Sequence, residues 1–268
     1  MIRVHDSITK LDGSDEGAVV IAASHGGRYC GYCAAKGRVR AVIFSDAAIG
    51  LDKAGIGALE YLDALDIPSA MVDYRTARIG DGGDLTARGT ISFCNDAASR
   101  LDCKPGQSTL ECAEKMLAAN TQLRTPPVYE EARTLLLERP RMPKVWGLDS
   151  NSLVTSSDNG SIIVTGSHGG LLGGRPETAI RIDALAAVYN DAGVGIDNAG
   201  ISRLEPLDAR GIAAVTVDAR TARIGDARST WESGKISHWN QLAKTYGAER
   251  GMPVPAFVDW VFRSVSRG

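Results

Sequence analysis

Three apolar runs recur in order in each half of this chain. The first pair is GAVVIAAS (17–24) and GSIIVTGS (160–167). The second is RAVIFSD (40–46) and LAAVYND (185–191), and the third is IPSAMVD (67–73) and IAAVTVD (212–218). Short unbroken apolar runs predict strands buried on both faces, as in a parallel sheet. Between the second and third runs, Ile56, Leu59 and Leu62 recur at helical spacing behind Asp52, a predicted N-cap. Ile201, Leu204 and Leu207 repeat that pattern. A further strand, GTIS (89–92) or GKIS (234–237), and a terminal helix close each half.

The halves are a duplication. Residues 46–95 align without a gap on 191–240, with 26 of 50 positions identical, where unrelated composition gives about three. The hexapeptide TARIGD is kept whole at 76–81 and 221–226, and SHGG occurs at 24–27 and 167–170. The expected organisation is a first β/α repeat unit over 1–112, a linking helical segment over 113–148 and a second unit over 149–268. The helix of that link is expected within TPPVYEEARTLLLERPRMPK (125–144), between proline-marked breaks. Strands alternating with helices predict an α/β fold. Its two units are three-layer-like, with mainly parallel sheets, and are related by a pseudo-two-fold axis.

Right-handed crossovers place the strand C-termini on one edge, where open parallel sheets bind ligands. That edge collects the retained polar residues. Strand one delivers Ser24, His25, Gly26 and Gly27, or Ser167, His168, Gly169 and Gly170. Strand two delivers Asp46 or Asp191, and strand three leads to Arg78 and Asp81 or Arg223 and Asp226. Packing alone seldom preserves such identities. His25 and His168 titrate near neutrality and suit acid–base chemistry. Asp46, Asp191, Ser24 and Ser167 complete the candidate catalytic set, the serines by facing a histidine across the halves. Arg78 and Arg223 suit a carboxylate or phosphate. Gly26, Gly27, Gly169 and Gly170 would expose backbone N–H groups to an anion, with Asp81 and Asp226 beside them. Each unit's His, Asp and Arg are expected to converge on one ligand. The alternative for each is structural: sharp turns for the glycines, an Arg–Asp bridge for TARIGD.

Composition narrows the partners. Thirty basic against 32 acidic residues leave a net charge of −2, so nucleic acid is not an expected partner. The longest apolar run near the N-terminus, AVVIAA, is too short for a membrane span, and a cytoplasmic location is expected. CGYC (30–33) has redox spacing, but SHGGLLGGRP stands at the matching place without a cysteine, so small-residue packing is the expected role. No HExxH, P-loop, GxSxG or GxGxxG spacing occurs. No cofactor is expected, with a divalent metal left open through His25, Asp46 and Asp81.

These residues point to an enzyme on a small carboxylate-bearing metabolite, first as a hydrolase of an amide or cyclic-amide bond. The duplication is similar in architecture to two-lobed amino-acid racemases. Those use a cysteine from each lobe, and no cysteine here has a repeat partner; Cys94 stands opposite Trp239. An isomerase with paired histidines is the second reading. A non-catalytic ligand-binding or subunit protein is the third. A homo-oligomer is expected in each case.

Overall fold

A computed structural model describes residues 1–121 and 125–266. The first half runs β1 (Ile2–His5), β2 (Val19–His25), α1 (Arg28–Lys36), β3 (Ala41–Ser45), α2 (Ala58–Asp63) and β4 (Ser69–Val72). It continues through α3 (Gly82–Arg88), β5 (Ile91–Cys94), α4 (Asp96–Ser99) and α5 (Thr109–Met116). The second half opens with β6 (Arg133–Leu137), β7 (Val145–Leu148), β8 (Ile162–His168) and β9 (Ala186–Asn190). It closes with α6 (Leu204–Ala209), β10 (Ala213–Val217), α7 (Ala227–Ser233), β11 (Ile236–Trp239), α8 (Gln241–Thr245) and α9 (Val254–Val265).

Two mixed, mostly parallel sheets result, ordered β1-β2-β3-β4-β5 and β11-β10-β9-β8-β7-β6. Only β4–β5, β10–β11 and β6–β7 pair antiparallel. The strands alternate their faces. Val20, Val42 and Phe44 pack towards α1 and α2, while Val19, Ile21 and Ile43 pack with Leu85, Cys112 and Met116 of α3 and α5. The second sheet likewise has a core on each face. Each fully buried aliphatic side chain contributes about 1.5–3 kcal/mol, and the buried polar interruptions Thr165 and Thr216 are hydrogen-bonded, to Val188 O and Ser237 Oγ.

The contacts between the halves are reciprocal. Leu51 N–H donates to Ala219 O at 2.9 Å, and Ile196 N–H donates to Tyr74 O at 3.2 Å. Leu51 matches Ile196 and Tyr74 matches Ala219 in the repeat, so each half makes the other's contact, as a two-fold relation requires. Ala47, Ile79, Ala192, Ala199 and Ile224 form a separate apolar cluster of matched residues.

Two expectations are corrected. The joining segment 125–144 holds no helix; Arg133–Leu137 is a strand paired antiparallel with Val145–Leu148. Gly147 makes this possible, because a Cβ there would lie 2.9 Å from the Leu136 side chain. Asp52 is not an N-cap: it sits at φ 54°, and α2 begins later, behind Gly57. No described helix is long and apolar enough to cross a membrane.

Candidate functional site

Each strand–SHGG–turn has one local logic. A Cβ at Gly26 would lie 2.2 Å from the Met71 sulfur and 2.8 Å from Gly55 O; at Gly169 it would lie 2.4 Å from Gly200 O. A side chain has no room at either place. The following glycine lets the histidine ring fold over its own turn. Gly27 N–H donates to His25 Nδ1 and Gly170 N–H to His168 Nδ1, each at 3.1 Å. A backbone N–H only donates, so Nδ1 must be unprotonated and the ring proton sits on Nε2. Burial lowers the His25 pKa to about 4. His168 is pushed well down by burial, with the Arg203 and His25 charges adding. Both rings are therefore neutral at pH 7 and present an Nε2–H donor.

The aspartates after β3 and β9 hold an unusual turn. Ala47, Ala48, Ile49 and Gly50 all have positive φ, as do Ala192, Gly193, Val194 and Gly195. For β-branched Ile49 and Val194 this costs on the order of 1–3 kcal/mol each. The surroundings over-determine it. Asp46 Oδ1 accepts Ala48 and Tyr74 N–H, both at 3.1 Å, and Oδ2 accepts the Ser92 hydroxyl at 2.9 Å. Asp191 Oδ1 accepts Gly193 and Ala219 N–H at 2.9 and 3.0 Å. Burial raises the Asp46 pKa. The turn carries Asp52 to the joint between the halves.

The remaining expected residues divide by role. Ser24 Oγ accepts Ile8 N–H and Ser167 Oγ accepts Asn151 N–H, both at 2.9 Å, so neither hydroxyl is brought to a histidine. Asp81 and Asp226 are N-caps, accepting Asp84 N–H at 2.9 Å and Ser229 N–H at 2.8 Å. Arg78 is bridged within its own half to Asp81 and Asp84. Ser229 replaces Asp84 in the copy. Arg223, bridged to Asp226, is thereby free to reach Asp52 of the other half at 3.0 Å.

Convergence therefore occurs across the halves, not within each unit. A cavity of about 470 Å³ lies between them, lined by His25, Tyr29, Asp52, Tyr129, Arg223 and Asp226, among others. Gly225 faces the His25 ring; a Cβ there would lie 3.2 Å from the ring carbon Cε1 and meet nothing else nearby except Nε2 at 3.8 Å. The N-terminus of α1 opens on the same space. Its N-cap, Gly27, has no side chain to satisfy the first-turn donors, and Gly27, Arg28 and Tyr29 line the cavity. His25 Nε2 has no hydrogen-bond partner among the described residues.

The matching place in the second half is filled. Leu171–Gly173 stands where α1 would begin. A Cβ at Gly80 would lie 2.2 Å from Leu171 O, and Gly173 N–H donates to Gly80 O at 2.7 Å. Arg203, only 3% exposed, clamps this loop through Gly170 O at 2.9 Å, Thr178 O at 2.6 Å and Ala179 O. Ala58 stands at the matching place in the first half and packs on Gly31 of α1.

Sequence reasoning missed Asp52 as a site residue, although its partner Asp197 was a signal. Tyr29 and Tyr129, which line the cavity, left none, having no repeat partners, and neither did Glu131, which bonds to Tyr29. Glu131 has its pKa raised to about 7 by burial and the Asp149 charge, while a hydrogen bond from Tyr29 opposes the rise. The Cys30 and Cys33 thiols are pushed up by burial, Cys33 to about 11, the opposite of a reactive thiol. Among the described residues no three His, Cys, Asp or Glu side chains are grouped to hold a metal ion, so His25, Asp46 and Asp81 are not gathered as a ligand set. Comparison with protein-family models, with curated proteins and with solved structures returns no match.

Proposed function

We propose that the chain is an enzyme that binds a small carboxylate-bearing metabolite in the His25–Arg223 cavity and hydrolyses an amide-type bond in it. The observation that carries this reading is a neutral histidine whose unpartnered Nε2–H shares a cavity with an uncapped helix N-terminus. That pairing suits the charge that develops on a carbonyl oxygen under attack, because fixed donors need no reorganisation. Arg223 takes the carboxylate of the substrate. Asp52, whose Oδ1 accepts no bond among the described residues, takes the proton of the attacking water and returns it to the amide nitrogen as the C–N bond breaks, releasing the acid and the amine. His25 acts as a donor here, not as a base, since its basic nitrogen is occupied by Gly27 N–H.

The two-histidine isomerase needs both rings on one ligand, and only His25 lines this cavity. All five cysteines are free, which fits the reducing compartment that a cytoplasmic location supplies. Self-association into a homo-oligomer stays part of the proposal and is read by sedimentation. The test is amine release from a panel of N-acyl amino acids and lactam carboxylates. Wild-type turnover should fall at least 100-fold in His25→Ala, while Arg223→Ala should raise KM more than it lowers kcat. No turnover across the panel, with no ligand-induced change at His25, would refute the reading.

A further inference from the structure

The filled copy shows what the open copy is shaped to receive. Gly80 and Gly225 are matched residues with nearly the same backbone, at φ 86° and 82°. In the filled copy Gly80 O accepts Gly173 N–H at 2.7 Å, and Leu171 O lies over the Gly80 α-carbon. Main chain thus approaches Gly80 with a carbonyl and, two residues on, an N–H. In the open copy no main chain comes near the matching face of Gly225, and Gly225 O accepts no hydrogen bond among the described residues. The same acceptor, at the wall of the cavity, is left unused.

We infer that the segment Leu171–Gly173 is a built-in stand-in for the ligand, and that the open cavity takes a peptide-like amide whose N–H donates to Gly225 O. Resting on the site proposed above, this names its ligand class: an acylated amino acid or a molecule of dipeptide size. Three features fit that class. The cavity volume of about 470 Å³ suits a molecule of that size. Ile56 and Leu59 supply an apolar wall for a side chain. Arg223 and the first turn of α1 supply donors for a carboxylate and for the amide carbonyl. An acceptor such as Gly225 O rejects a ligand that brings an oxygen in place of the N–H, because two unshared pairs then face each other without a proton.

The experiment compares N-acetyl-leucine with its ester counterpart, 2-acetoxy-4-methylpentanoate. The two share shape and carboxylate and differ only in N–H against O. Calorimetry on the intact protein should show the amide bound about ten-fold or more tightly. A soaked crystal should place the amide nitrogen within hydrogen-bond distance of Gly225 O. Equal affinity, with both molecules seated in the cavity, overturns the amide inference and leaves the site standing. Neither molecule in the cavity overturns both.

Discussion

The two histidine loops carry the same residues and end in opposite states. At His25 the turn is followed by a helix, and a cavity remains between α1 and the partner half's TARIGD loop. At His168 the turn is followed by Leu171–Gly173, which closes over Gly80. The retained residues do not account for this difference, because they are shared. Unmatched ones do: Arg203 against Ala58, and Ser229 against Asp84. What the duplication preserved is mainly the joint between the halves, with its left-handed turns, N-caps and glycine passages. The open site arose where the filling loop is missing.

The sharpest way to break the comparison is to remove the clamp on the closed side. Arg203→Ala removes the Arg203 donor from Gly170 O and Thr178 O, and leaves Ala179 O to Tyr189 and Asn151. It should cost about 3–5 kcal/mol in denaturant unfolding. Ala58→Gly, at the matching place, should cost about 1 kcal/mol. A loss under about 1 kcal/mol in Arg203→Ala would show that the loop closes without it.

The joint should instead behave alike in both halves. Asp46→Ala and Asp191→Ala each strip the hydrogen bonds that hold a strained turn, and each should lose about 2–4 kcal/mol. Activity lost in Asp46→Ala at unchanged stability would make that carboxylate a chemical group rather than a brace.

Glu131, bonded to Tyr29 of the cavity wall, supplies a pH test. Glu131 has a folded pKa of about 7 against an ordinary 4.5. The folded state therefore holds this proton more tightly. Its stabilisation is complete below pH 4.5 and is lost as pH rises towards 7. Glu131→Gln should gain on the order of 2–3 kcal/mol at pH 8 and little at pH 4. Thermal unfolding at the two pH values decides it; equal effects would deny the buried, titrating carboxyl.

The smallest effect is expected in α1, which has no counterpart on the closed side. Cys30→Ser with Cys33→Ser should cost about 1 kcal/mol and leave turnover intact, since both thiols are raised by burial. Inactivity of the folded double variant would restore a chemical role to CGYC.

The central strands were legible because a strand buried on both faces leaves a run that is almost wholly apolar: β2, β3 and β4, and β8, β9 and β10. The edge strand β1 was not, being four residues of mixed polarity, nor was β7, an inner strand of only four residues. RTLLLER reads as helix from its own residues, and only pairing with the distant Val145–Leu148 makes Arg133–Leu137 a strand. The left-handed turn contradicts the local preference of Ile49 and Val194, so no pattern announces it. The candidate site was half legible. His25 and Arg223 stood out because identities that packing does not require were kept in both copies, but they were expected to meet their own unit's partners.

By itself, then, the sequence determined the α/β class, the duplication and the edge that gathers the polar residues, because burial periodicity and repeat identity are written along the chain. The tertiary structure alone decided that His25 meets Arg223 rather than Arg78, and that one of two matching sites is open. Both depend on how one half is rotated onto the other and on which loop enters the gap. Such contacts join residues far apart in the chain, as Arg223 and Asp52 are, and local spacing does not encode them.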